Sequence, residues 1–190
     1  RPPRSTLFPY TTLFRSLVVF EQLMLDGAVV AAHEDLADEG QTVSVAAPEI
    51  GTPALDASDG DKVLASHGGQ SVVDRVSFKN VAPGKKHVLT ASLVDKSTGE
   101  VLEGTEPVVH EFVPQQREGI EEVRIPVPDG AAAGKELVVF EQLSIGDREI
   151  ASHKDIEDAG QTVFVEVPGI GTQAADAADG DKLVNSGPAA

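Results

Sequence analysis

One threonine, one histidine, one glutamine and two carboxylates keep fixed company in this 190-residue chain. They are Thr52, Glu141, His153, Asp158 and Gln161, and they stand out because their surroundings recur. Residues 17–62 return at 137–182 at a constant offset of 120 without a gap, with 27 of 46 aligned positions identical. The identities gather in VVFEQL, in H-x-D-x-x-D-x-G-Q-T-V and in I-G-T-x-A-x-D-A-x-D-G-D-K, while the residues between them drift. A hydroxyl, an imidazole, a carboxamide and two carboxyls are the parts of an acyl transfer within the chain. His153 would take the proton of the Thr52 hydroxyl, and the oxygen would attack the Gln161 side chain. Glu141 and Asp158, one of them kept protonated by burial and by its neighbour's charge, would polarise the Gln161 carbonyl. Ammonia would leave, and a Thr–Gln ester would remain.

A period of this length marks a domain and not a solenoid unit. The expected organisation is one complete unit at 51–167, preceded at 17–48 by the C-terminal part of an earlier repeat. A following repeat begins at 171–190. Glu21, His33, Asp38 and Gln41 are the counterparts of Glu141, His153, Asp158 and Gln161 in the earlier part, and Thr172 is the counterpart of Thr52 in the later one. Residues 1–16 stand apart. They hold the chain's single Tyr, two of its seven Phe and three of its 15 basic residues, and 6–16 resemble a translated sequencing adapter. That segment is set aside as non-native.

The elements that must position these groups read as strands. Residues 72–81, 109–114 and 123–128 alternate with a period of two, and 87–102 makes two strands around the loop 95–99 that ends in glycine. Residues 136–143 and 161–167 complete about seven strands, with no capped helical periodicity of useful length. The fold class expected is all-β, an immunoglobulin-like antiparallel sandwich in tandem repeats. Pro126 and Pro128 confine their strand to an edge, or themselves to its end. Thr52 opens the first strand and Gln161 the last, so the two would meet across a ladder. The polar stretch 146–160 is expected to be a loop delivering His153 and Asp158. Val, Ile, Leu and Ala should fill the core, with Phe78, Phe112, Phe140 and Phe164 as the large pieces.

Charge and composition narrow the functions. Without the first 16 residues, 12 basic face 31 acidic side chains, spread evenly. Such a surface argues against nucleic-acid and anionic-membrane partners. No apolar run approaches the length of a membrane span, and cysteine is absent. Asp56, Asp59 and Asp61 crowd one turn but fail the EF-hand pattern, so neither metal nor cofactor is expected. His67, His87 and His110 do not recur and read as surface or core fill. Lys79-Asn80 raises the rival chemistry of a Lys–Asn isopeptide.

The pattern G-T-x-A-x-D-x-x-D-G-D-K, V-V-F-E and H-x4-D-x-G-Q-T-V resembles the ester-bond-forming repeats of Gram-positive adhesin stalks, the VaFE-type repeats of surface-anchored proteins. The resemblance covers 17–190. It implies an immunoglobulin-like domain closed by an ester between Thr52 and Gln161, assisted by Glu141, His153 and Asp158. It also implies a single-turnover reaction and no true enzyme, on an extracellular, cell-wall-anchored protein. The expected partners are neighbouring repeats, with any host ligand held by other domains. The alternatives are a binding module contacting a host ligand itself, and a Thr-His-Asp hydrolase, against which stands an acceptor already present in the same chain.

Overall fold

The computed structural model describes residues 15–175 together with 177, 180 and 182. The adapter-like segment therefore lies outside the described residues except for Arg15 and Ser16, and so does most of the expected following repeat. Among the described residues no helix is long and apolar enough to cross a membrane.

The strands are β1 (Arg15–Val18), β2 (Glu21–Leu25), β3 (Ala28–His33), β4 (Thr42–Val45), β5 (Glu49–Gly51), β6 (Ala54–Asp56), β7 (Val63–Leu64) and β8 (Ser71–Lys79). They continue as β9 (His87–Asp95), β10 (Glu100–Val101), β11 (Val108–Phe112), β12 (Gly119–Pro126), β13 (Glu136–Ile145), β14 (Arg148–His153) and β15 (Thr162–Val165). From β5 onward they form two sheets. The larger runs β10-β9-β13-β15-β7, with β11 also on β9 and β14 also on β13. The smaller runs β12-β8-β5, with β6 also on β8. The fold is all-β and sandwich-like, as the alternation requires. Pro126 closes edge strand β12, where its missing N–H costs no ladder bond.

The core fills the space between the sheets. Val72, Val76 and Phe78 of β8 and Val123 and Ile125 of β12 cluster with Leu89, Ala91 and Leu93 of β9, Leu137, Val139 and Leu143 of β13, and Val163 and Val165 of β15. Aliphatic side chains dominate, and the phenylalanines divide. Phe78 is buried and Phe112 packs beside it with ring centroids 5.3 Å apart. Phe140 lies outside the cluster, and Phe164 is 40% exposed. The period of two explains this: 163 and 165 face inward, so 164 must face out.

Two further expectations change. The stretch 146–160 is not all loop. Gly146-Asp147 is a hairpin turn, Gly146 with φ of 57°, and it returns the chain as β14 against β13. The leading and final strands are also not ladder partners at Thr52. β5 and β6 pair with β8 in the smaller sheet, while β15 belongs to the larger. Of the leading strands only β7 joins β15, in parallel, with Val63 opposite Phe164.

The first copy of the repeated block folds locally as the second does. β2 and β3 form a hairpin with Glu21 opposite His33, and a ladder irregularity at Leu23/Met24 matches that at Leu143/Ser144. β1 pairs with β4. Leu17, Val19, Leu23, Val43 and Val45, whose counterparts are core residues, are exposed here. The strands are alike; among the described residues the covering sheet belongs to one copy only.

Candidate functional site

Two diagonals, one on the inner face of each sheet, converge at the site. In the smaller sheet, Gly51 lies opposite Ser77 and Ala54 opposite Asp74. The same register runs through Thr52-Pro53, where Pro53 has no N–H to donate but its carbonyl accepts from Arg75 N at 3.2 Å. Thr52 is therefore in phase with buried Ala54 and shares its face with Asp74. In the larger sheet, Val139 N donates to Gln161 O at 3.1 Å. Gln161 is in phase with Val163 and Val165, and Glu141 with Val139 and Leu143, so both turn inward two residues apart along the ladder. β14 places His153 opposite Glu141.

The groups touch where the diagonals face each other. Gln161 Nε2 donates to Thr52 Oγ1 at 2.8 Å and to Glu141 Oε2 at 2.5 Å. Thr52 Oγ1 donates to Glu141 Oε1 at 3.3 Å. Asp74, Glu141 and Gln161 are each 0% exposed. Below them His153 Nε2 meets Asp158 Oδ2 at 3.0 Å, and Asp158 Oδ1 accepts from Gly160 N at 2.6 Å. A carboxylate at Nε2 fixes the proton there and leaves Nδ1 as a lone pair, and Nδ1 is buried without a protein partner.

The sequence reading paired Glu141 with Asp158 as the carboxyls sharing a proton. The structure puts Asp74 in that position. Asp158 is part exposed and engaged with His153, whereas Asp74 and Glu141 face each other in the dry interior. Neither Asp74 oxygen has a well-formed hydrogen bond, yet both Glu141 and Thr52 lie close enough to influence its proton. Burial, then Asp74, pushes the Glu141 carboxyl up to about 10. Burial likewise raises Asp74, opposed by Glu141, Thr52, His153 and Lys62. Two carboxyls so placed hold a proton at neutral pH, because ionising both would put like charges together in low dielectric.

Asp74 was legible in one signal, the phase of β8. Val72, Asp74, Val76 and Phe78 share the inward face, so a carboxylate interrupts an apolar row. The repeat could not point to it, because a copy at the 120-residue offset falls outside the chain.

The counterparts behave differently. His33 Nε2 reaches Asp38 Oδ2 at 2.8 Å, and Gly40 N donates to Asp38 Oδ1 at 2.7 Å, repeating the later geometry. Gln41 follows in place, but Glu21 and His33 are exposed, and among the described residues no second sheet covers them. Thr172 is exposed as well. The isopeptide pair is not assembled: Lys79 is exposed on the opposite face of β8 from Asp74, and the Asn80 amide donates to Ala47 O at 3.0 Å. Asp56, Asp59 and Asp61 can bring carboxylate oxygens within 4.8 Å. Each accepts a backbone N–H two residues on, which is a turn-forming role. His87 is buried, with Nδ1 against Lys85 O, while His110 meets Glu121.

A family model described as "T-Q ester bond containing domain" matches residues 6–45 and again 48–165. A search of curated proteins gave no match. Among solved structures, the chain is similar to a bacterial adhesin from Mobiluncus mulieris, described as containing intramolecular disulfide, isopeptide and ester bond cross-links. Two crystal forms of it align with TM-scores of 0.56 and 0.54 at 17% identity, over 64% of this chain. The alignment takes in 58% of the adhesin chain, so less than two thirds of its length is matched. At that identity the likeness speaks to the fold alone.

Proposed function

Because the chain belongs to the family of T-Q ester bond containing domains, we propose that residues 51–167 close themselves once by an ester between Thr52 and Gln161. One observation carries this reading: hydroxyl and carboxamide are in contact, 109 positions apart in sequence, inside a pocket that also holds a buried carboxyl pair. His153 Nδ1 accepts the Thr52 proton, and Asp158 steadies the imidazolium. The amide nitrogen faces Glu141, and Gln161 Oε1 has no protein partner. Turning the amide over brings Oε1 to the protonated carboxyl, which can then donate to the oxygen as it gains charge. Oγ1 bonds to Cδ, the C–N bond breaks, and the nitrogen leaves as ammonia with the proton relayed by His153. The carboxyl pair is returned unchanged. Nothing regenerates the amide, so the site is a one-time cross-linker and not an enzyme.

On this reading 17–48 is the tail of a neighbouring unit, 171–190 the start of another, and the chain a stretch of tandem domains. The setting that fits is the stalk of a cell-wall-anchored adhesin outside the cell, contacting its neighbouring repeats. The alternative, a module that itself binds a host ligand, has less support, since Tyr10 is the only Tyr and Trp is absent. Intact mass with Thr52→Ala and Lys79→Ala tests the chemistry. The parent and Lys79→Ala should lack one ammonia, and hydroxylamine should open the link. If Thr52→Ala keeps the deficit, the ester reading is wrong.

A further inference from the structure

The D-G-D-K block recurs with the reactive residues, yet its lysine has no part in the chemistry described above. Lys62 Nζ donates to Ala54 O and to Gly160 O, each at 2.5 Å. Gly160 O also accepts from Ala54 N at 3.0 Å, so one carbonyl binds both the backbone and the ammonium of the leading segment. Ala54 lies two residues after Thr52, and Gly160 immediately before Gln161. The lysine's own carbonyl is tied to the final strand, accepting from Phe164 N at 2.8 Å. A single ammonium thus clamps the two backbone segments that carry the reacting side chains, where the sheets otherwise share no ladder.

We infer that Lys62 is a positioning residue for ester formation, holding Thr52 against Gln161 and setting a positive charge near the carboxyl pair. The inference rests on the ester reading. The clamp fixes the approach of hydroxyl to carboxamide, and small errors in such an approach are costly in rate. The charged groups around the carboxyl pair are Lys62 from the turn before β7, His153 from β14 and Asp158 from the following loop. Burial pushes the Lys62 ammonium down, while Asp158 and Asp74 draw it back up, which places it within electrostatic reach of both. An ammonium there lowers the affinity of the pair for a second proton.

The test follows closure after pulse-labelled cell-free synthesis, as ammonia loss against time and pH. Lys62→Met should close at least tenfold more slowly, with the acidic limb of its rate profile moved to higher pH. Lys62→Arg, which keeps two donors and the charge, should recover most of the rate. Closure of Lys62→Met at the parent rate overturns the role, as does slowing that is equal at every pH without rescue by arginine. Should Lys62→Met not fold, Lys62→Gln keeps a donor without charge, and its closing as fast as Lys62→Arg would overturn the role too. The parent is the internal reference. Ammonia loss there with an unaffected Lys62→Met removes only this inference, whereas no ammonia loss in the parent removes the ester reading with it.

Discussion

At the scale of the residue, the site is built from a conflict that folding cannot relieve. Asp74 and Glu141 are buried together, and ionising both would leave two charges without compensation in the core. Asp74→Asn or Glu141→Gln should therefore slow closure by about a hundredfold or more, the usual range for a displaced proton donor. Either change should leave the open domain at least as stable, which time-resolved mass and urea unfolding in a Thr52→Ala background would separate. The same pair sets a pH dependence. A carboxyl whose proton affinity is raised by folding stabilises the folded state below its ordinary range, and that advantage fades as pH climbs towards the folded value. The open Thr52→Ala domain should thus lose stability between about pH 4.5 and about 10, the ordinary and folded values for Glu141. The Glu141 part of that slope should reach at most about 1.4 kcal/mol per pH unit. Adding Glu141→Gln should flatten it.

At the scale of the element, the turn before β15 has little room to vary. A Cβ at Gly160 would sit 2.9 Å from Asp158 Oδ1 and 3.5 Å from Thr52 O. Gly160→Ala should push Asp158 off His153 and retard closure roughly tenfold, with a smaller loss in thermal stability, since imidazole orientation fails before the sheet does. These local constraints show which parts of the molecule the sequence makes legible. Alternation in 72–81 and 123–128 is enough to find β8 and β12, because apolar residues in phase can only face a core. The His153-to-Gln161 segment was legible because a second copy displayed it. β14 was missed because a strand of polar and half-buried residues looks like a loop until Gly146-Asp147 is read as a hairpin turn. Asp74 was missed because the phase of β8 marks a buried carboxylate without telling which carboxyl meets it from the opposite sheet.

At the scale of the whole molecule, an ester between Thr52 and Gln161 would enclose nearly every strand of the sandwich and leave β5 and β15 outside the loop. Closing about 100 residues removes about 4–5 kcal/mol of unfolded-state entropy by the chain-entropy argument used for disulfides. Thr52→Ala should lower unfolding stability by that amount, measured at one pH by urea titration. Pulled from its ends, the closed domain should withhold roughly 350 Å of contour, the extended length of the enclosed chain, which single-molecule extension would read directly against Thr52→Ala. The two copies of the repeated block carry one more consequence. His33 and Asp38 join as His153 and Asp158 do, so the basic half of the site assembles from one hairpin and the turn after it, with no help from a second sheet. The carboxyl pair exists only after β8 has docked. Reaction must then follow folding and never precede it, and a misfolded chain stays unlinked and open to degradation. The ester is a permanent record that the two sheets met.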